Sequence, residues 1–324
     1  MLNIINTAIA WIVTLACFIA GILTGTNYGD FNSKYIKNIE AVDIYENAIE
    51  TAVPQTEIYN LIKNHLSSPL PEGKTAKKAI VIGYDGCRAD NLKMSKELDA
   101  SGINALIADG GQAVLSYCGG VPYPAINKQD TSTAPGWCSM LTGVWADVHG
   151  VRKNEQPKSN DNLTLLTTLV EDGTIDSSAF YVSWNGHFSQ DNSTYINEKK
   201  YIEEKQLNAS FVKADNDDGT IANILADVTK ENCSDFIFSI LEYCDHEGHS
   251  TGFSQGNKKL AAAYKDAEKA GESIINSIKS RPTYETEDWL IIITTDHGGY
   301  NTWHGGPTIQ ERMTFIVCNK PVIG

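Results

Sequence analysis

Hydrophobic positions along the chain fall into distinct regimes. The first 29 residues, MLNIINTAIAWIVTLACFIAGILTGTNYG, hold no charged side chain, and the apolar run over residues 4–23 is long enough to cross a hydrocarbon core. No Lys or Arg precedes that run and no A-x-A-like exit follows it, so an uncleaved membrane anchor is expected rather than a cleaved signal peptide. Lys34 and Lys37 lie beyond the run and set its orientation only weakly; an extracytoplasmic main domain is the expectation. Residues 30–75 are mixed and charged. Helix-like spacing at 39–49 and 57–65, broken by SSPLPEGK, reads as a stalk and a leading helix. From 76 to 324 short apolar runs recur: KKAIVIGY, AVLSY, AFYVSW, DFIFSILEY, WLIIITT and MTFIVC. Helical patterns at 163–171, 220–229 and 258–279 lie between them. Strands alternating with helices predict an α/β domain, a mostly parallel central sheet with helices on both faces.

Composition narrows the function classes. The 324 residues are 42% hydrophobic and 20% charged, an ordinary globular balance, with a formal net charge of −14. Such a surface repels phosphate backbones, so no nucleic-acid binding is expected. A small anionic substrate is compatible only where metal ions supply local positive charge. Seven cysteines include no C-x-x-C pair, which argues against a zinc ribbon or a thioredoxin-type site. Cys87, Cys138 and Cys244 lie in or beside apolar stretches as small buried hydrophobes. A Cys118–Cys138 disulfide is conceivable, and the sequence leaves it open.

The stretch TSTAPGWCSMLTG at 131–143 crowds three hydroxyls ahead of a helix start. Taken alone it favours helix capping, since Ser and Thr accept from first-turn N–H groups. The competing reading is a nucleophile, Thr133, at a helix N-terminus that favours negative charge. The strand ends change the balance. In sheets of this type functional residues gather at the carboxyl ends of the strands. Asp85 follows AIVIGY, Asp245 and His249 stand four apart after FSILEYC, and LIIITT runs into Asp296 and His297, with His304 close behind. A single Asp at a strand end commonly caps the next helix, and a single His is commonly a satisfied polar side chain. Three strand ends doing this together are better explained by cations, because buried charge at that density is costly without them. Aspartate and imidazole are ligands for Zn²⁺ or Mn²⁺ in open sites, and six of them divide into two sets of three. Two metal ions roughly 4 Å apart suit phosphoryl displacement, and coordination lowers the pKa of a threonine hydroxyl.

These residues resemble the alkaline phosphatase superfamily in its type I phosphodiesterase/nucleotide pyrophosphatase branch. VIGYDGCRADNL is similar to that branch's first strand and D-G-x-R segment, and TAPGWCSMLTG to its nucleophile loop. VHGV at 148–151 with Asn154, LEYCDHEGHSTG and TTDHGG complete the set, over about residues 78–318. The resemblance implies one metal held by Asp245, His249 and His304. It implies a second held by Asp85, Asp296 and His297, with Thr133 attacking through a phosphothreonine intermediate. The expected substrate is a small phosphate ester, and the expected ions are two, zinc or manganese.

Two departures matter. Gly136 stands where nucleotide-cleaving members carry Asn, so a phosphoryl-oxygen donor must come from elsewhere, with Asn154, Asn185 and backbone N–H groups as candidates. His304 follows His297 by only seven residues, a compact arrangement that puts nucleotide specificity in question. Trp184, Asn185 and His187 in SWNGH are further candidates for the pocket lining, a packed loop being the alternative. Sulfatases want a modified Cys or Ser and Arg four residues later, where Thr133 and Trp137 stand. A phosphomonoesterase or phosphonate hydrolase using the same residues is the alternative enzyme. A silent, metal-stabilised surface domain is the alternative outside enzymes.

Overall fold

Each of the six apolar runs forms a strand in the computed structural model, which describes residues 52–90, 102–120, 129–254 and 256–322. In chain order the strands are β1 (Val53–Pro54), β2 (Ala76–Tyr84), β3 (Gln112–Tyr117), β4 (Ser178–Val182), β5 (Ala209–Lys213), β6 (Phe236–Leu241), β7 (Glu287–Thr294) and β8 (Met313–Cys318). They make one sheet of order β1-β3-β8-β7-β2-β6-β4-β5. Only β8 runs antiparallel to its neighbours, so the expected mostly parallel sheet is found. The strands absent from the sequence reading, β1 and β5, are the two edges. An edge strand is covered on fewer sides, and ASFVK accordingly carries no continuous apolar run.

The central strands are apolar at every position because both faces are covered. Along β2, Ile80, Ile82 and Tyr84 point into one cluster with Ile274, Ile275 and Ile278 of the helix Lys258–Lys279. Ala79 and Val81 point into the other, with Ile58 and Ile62 of the helix Glu57–Ser67 and with Trp137 and Leu141 of the helix Thr133–Thr142. That alternation is the period of two of a strand buried on both sides. The leading helix predicted at 57–65 is therefore packed onto the sheet. The helix predicted at 258–279 has those bounds, and those at 163–171 and 220–229 appear as Leu165–Glu171 and Asp217–Val228. Two of the helices that were not foreseen bear on the site and its surroundings. Ile196–Lys205 is polar almost throughout, burying only Glu198 and Ile202, and Tyr243–Thr251 holds the DHEGH segment itself.

Register delivers the strand ends together. Gly83 pairs with Thr294 and Tyr84 with Leu241, so Asp85, Glu242 and Thr295 leave the sheet side by side. Cys87, Cys118, Cys138, Cys233, Cys244 and Cys318 are all free and buried, so the conceivable Cys118–Cys138 bridge is not formed. The expected anchor at 1–29 and the helix-like run at 39–49 lie outside the described residues. Among the described residues no helix is long and apolar enough to cross a membrane.

His149 of VHGV ties the far end of the Thr133 helix into the domain. Its Nδ1 accepts from Val151 N–H at 3.1 Å, and its Nε2 lies 3.1 Å from Ser139 Oγ. Burial, followed by the Lys158 cation, pushes its pKa down to about 3. The unfolded imidazole takes its proton near 6.5, as a free histidine does. Stability from neutral His149 is thus fully present above about pH 6.5 and is lost as pH falls toward about 3. Urea-unfolding midpoints measured down this range should fall, and His149→Gln should flatten the fall; an unchanged slope would contradict the assignment.

Candidate active site

The three hydroxyls of the 131–143 stretch take separate tasks. Ser132 sits at the N-cap position in extended conformation, but its side chain makes no capping hydrogen bond. Asn154 does that instead: its Oδ1 accepts from Ala134 N–H at 2.8 Å. Thr131 Oγ1 donates to Gly306 O at 2.9 Å and accepts from Gly305 N–H at 3.1 Å, fixing the loop behind His304. Thr133 opens the helix with its hydroxyl 3.4 Å from Asp85 Oδ1 and 3.5 Å from His297 Nε2. The N-cap position falls to Ser132 rather than Thr133, whose hydroxyl faces the Asp85 and His297 side chains instead.

All six expected ligands converge, in two clusters. Asp85, Asp296 and His297, all fully buried, form one, and Asp245, His249 and His304 form the other. Asp245 and His249 come from one face of the helix Tyr243–Thr251, with His249 Nε2 3.3 Å from Asp245 Oδ2. His304 Nε2 lies 3.6 Å from Asp245 Oδ1. His297 Nε2 lies 3.4 Å from Asp85 Oδ1 and 3.4 Å from Asp296 Oδ2. The His297 and His304 rings stack at 4.1 Å, which joins the clusters.

The histidines share one orientation. Nδ1 of His249 meets Thr302 O at 2.9 Å, that of His297 meets Gly298 O at 2.7 Å, and that of His304 meets Thr131 O at 3.1 Å. A ring whose Nδ1–H donates to a carbonyl presents a bare Nε2, the arrangement of a metal-ligating histidine. Among the described residues, Asp245 Oδ1 and Asp296 Oδ2 are buried without a hydrogen-bond partner. Burial and then the Asp85 charge drive the Asp296 carboxyl far above its usual range. Burial acts against the His297 proton, but Asp296 and Asp85 outweigh it and push that pKa up to about 10. His304, buried and facing His297, is pushed down to about 3. Unspent negative charge, orphaned acceptor atoms and oriented imidazoles fit divalent cations with mixed N/O ligands.

The substrate candidates divide. Trp184 lines a cavity of about 830 Å³ beside this centre, together with Asp217, Glu242, Tyr243, Asp245 and His249. Asn185 is exposed and does not line it. His187 is fully buried with both ring nitrogens unpartnered, its Nε2 3.9 Å from Glu242 Oε1, so it belongs to the packed loop behind the cavity. Asn154 stands at the start of the Thr133 helix, its carbonyl oxygen spent on the cap. Sequence reasoning missed Glu242, whose oxygen approaches Asp85 and Asp245. Burial and the Asp85 charge raise its pKa strongly. Its signal was present: an acid next to last in the DFIFSILEY run, three residues before Asp245.

The buried Thr133 helix and the two Asp/His clusters thus meet at the carboxyl edge of a mostly parallel sheet. Mouse ectonucleotide pyrophosphatase/phosphodiesterase 5, solved with AMP, overlaps 69% of this chain and 57% of its own at 15% identity and a TM-score of 0.46. The chain thus spans less than two thirds of that relative. A 2-O GAG sulfatase, BT1596, overlaps 76% of this chain and 65% of its own at 11% identity and a TM-score of 0.51. The phosphonate monoester hydrolase of Agrobacterium radiobacter overlaps 76% and 68% at 12% identity and a TM-score of 0.47. At 11% identity and a TM-score of 0.51, the likeness to the sulfatase speaks for the fold alone. No curated protein sequence matches the chain. The type I phosphodiesterase/nucleotide pyrophosphatase family model matches residues 79–304, and the chain belongs to that family of phosphoryl hydrolases.

The structure also explains the departure at Gly136. A Cβ there would lie 2.8 Å from Asp296 Cβ and 3.1 Å from Asp296 O, so only glycine lets the Thr133 helix close on this strand end. Gly136→Ala should displace the helix by a fraction of an ångström to an ångström, and misplacement on that scale costs up to about 10²-fold in rate. Steady-state kinetics check this; wild-type kcat in the variant would contradict it.

Proposed function

We propose that the chain is a two-metal phosphodiesterase that works through a phosphothreonine. The observation that carries the reading is the Thr133 hydroxyl beside Asp85 Oδ1 and His297 Nε2, at the N-terminus of a buried helix. Asp85, Asp296 and His297 would hold one cation, and Asp245, His249 and His304 the other, zinc or manganese by donor type. When bound, the ions supply positive charge that favours the alkoxide form of Thr133 and neutralises phosphoryl oxygens.

The chain's own groups do the rest. The helix N-terminus adds its field to the same point. Thr133 Oγ1 forms a bond to phosphorus, the bond to the leaving alkoxide breaks in line, and a proton returns that group to an alcohol. Water then attacks the phosphothreonine, giving a phosphomonoester and restoring the Thr133 hydroxyl. Asn154 holds the start of the helix through Ala134 N–H, and its amide N–H₂ is left as a candidate donor to the transferring group. The cavity bordered by Trp184 and His249 has room for a second ester substituent, which favours a diester over a monoester. A phosphomonoesterase or phosphonate hydrolase would use the same residues without that space. The charge-free N-terminal run supports a membrane anchor, with the site facing extracytoplasmic esters.

Full-length protein loaded with zinc or manganese should hydrolyse bis-(p-nitrophenyl) phosphate faster than p-nitrophenyl phosphate, and chelation should abolish both activities. Thr133→Ala should lower kcat by about 10³-fold or more, as loss of a nucleophile does elsewhere. Activity on the monoester alone would move the assignment to a phosphomonoesterase. Bound metal with no activity on either would make the domain a silent one.

A further inference from the structure

Trp137 stands four residues after Thr133 in the same helix, so the two side chains share a face. That face meets a single carboxylate. Thr133 Oγ1 lies 3.4 Å from Asp85 Oδ1, and the Trp137 indole N–H donates to Asp85 Oδ2 at 2.8 Å. The indole is fully buried, and its nitrogen can only donate. A hydrogen bond to an ionised carboxylate is short and stronger than one between neutral groups. With Oδ2 held, the carboxylate can no longer rotate, and Oδ1, 3.4 Å from His297 Nε2, is the oxygen turned to the ligand cluster.

We propose that Trp137 is a positioning residue: it locks Asp85 so that Oδ1 alone meets the cation shared with Asp296 and His297, in register with the Thr133 hydroxyl. The proposal rests on the two-metal reading of the site. Packing alone accounts for a buried ring here, since Trp137 meets Phe238 edge-on at 5.7 Å between centroids. It does not account for where the nitrogen points, because an all-carbon ring fills the same kind of space. The sheet is also shaped to admit the indole. A Cβ on Gly83 would lie 2.4 Å from the ring's outer edge, so glycine in β2 lets Trp137 slide far enough to reach Asp85. One turn of helix thereby fixes the nucleophile and a metal ligand to each other.

The test uses the full chain, stripped of metal and titrated with Zn²⁺ against a chromogenic chelator, as wild type, Trp137→Phe and Trp137→His. Phenylalanine keeps an aromatic ring and loses the donor. Histidine loses bulk, but its imidazole overlays the five-membered ring of indole and carries an N–H at the matching place. The wild type should bind two equivalents. Trp137→Phe should weaken one of them by about 10–100-fold, the usual cost of losing an outer partner of a metal ligand, and leave the other unchanged. Trp137→His should recover the lost affinity although it unfolds at a lower temperature than wild type, a split that a packing role does not produce.

Should either variant fail to fold, the indole N–H resonance of Trp137 in the wild type replaces it, and it should move when the cation of the Asp85 cluster binds. Wild-type affinity in Trp137→Phe, a folded Trp137→His as weak as the phenylalanine variant, or an indole resonance indifferent to Zn²⁺ overturns the proposal and leaves the two-metal reading standing. A wild type that binds no metal overturns both.

Discussion

Carboxylates held close together away from water govern this molecule. Asp85 and Asp296 are fully buried at neighbouring strand ends, and Asp245 and Glu242 approach the same point. Like charges in such a place repel each other and lose their hydration, a cost that burial alone leaves uncompensated. The sheet register forces the arrangement, since β2, β6 and β7 pair in parallel and end level with one another. A divalent cation in each cluster, as proposed, would turn the repulsion into attraction. The chemistry proposed for Thr133 follows from that same field, while backbone carbonyls at Nδ1 turn Nε2 of each of the three histidines toward it.

The apolar part of the fold serves this strand edge by allowing close approach. The Thr133 helix is buried along its whole length and lies against β2 and the start of the Asp296 loop. Contact that tight has no room for a side chain at Gly136, and Gly83 opens the sheet surface to Trp137. Interiors packed to crystal-like density transmit a displacement of one group to its neighbours. The Thr133 hydroxyl, the indole and the Asp85 carboxylate are therefore coupled in position.

Much of this was legible in the sequence, for identifiable reasons. Strands buried on both faces write continuous apolar runs, so six of the eight were visible along with their functional ends. Asp85, Asp245, His249, Asp296, His297 and His304 stood out because acids and imidazoles following such runs are seldom needed for folding, and the structure brings all six together. Edge strands and the polar helix Ile196–Lys205 left no comparable trace. The task of Asn154 as a cap depends on a contact across 20 residues, and the approach of Glu242 depends on strand register; spacing encodes neither. Asn185 looked eligible as part of SWNGH, but it is exposed while the residues after it pack inward.

Anomalous-diffraction crystallography of the zinc-loaded protein measures the central claim most directly. The account predicts two peaks roughly 4 Å apart. One should be bound by Asp85, Asp296 and His297 with the Thr133 oxygen at coordinating distance, the other by Asp245, His249 and His304. A single peak, or two peaks with Thr133 out of reach of both, would contradict it.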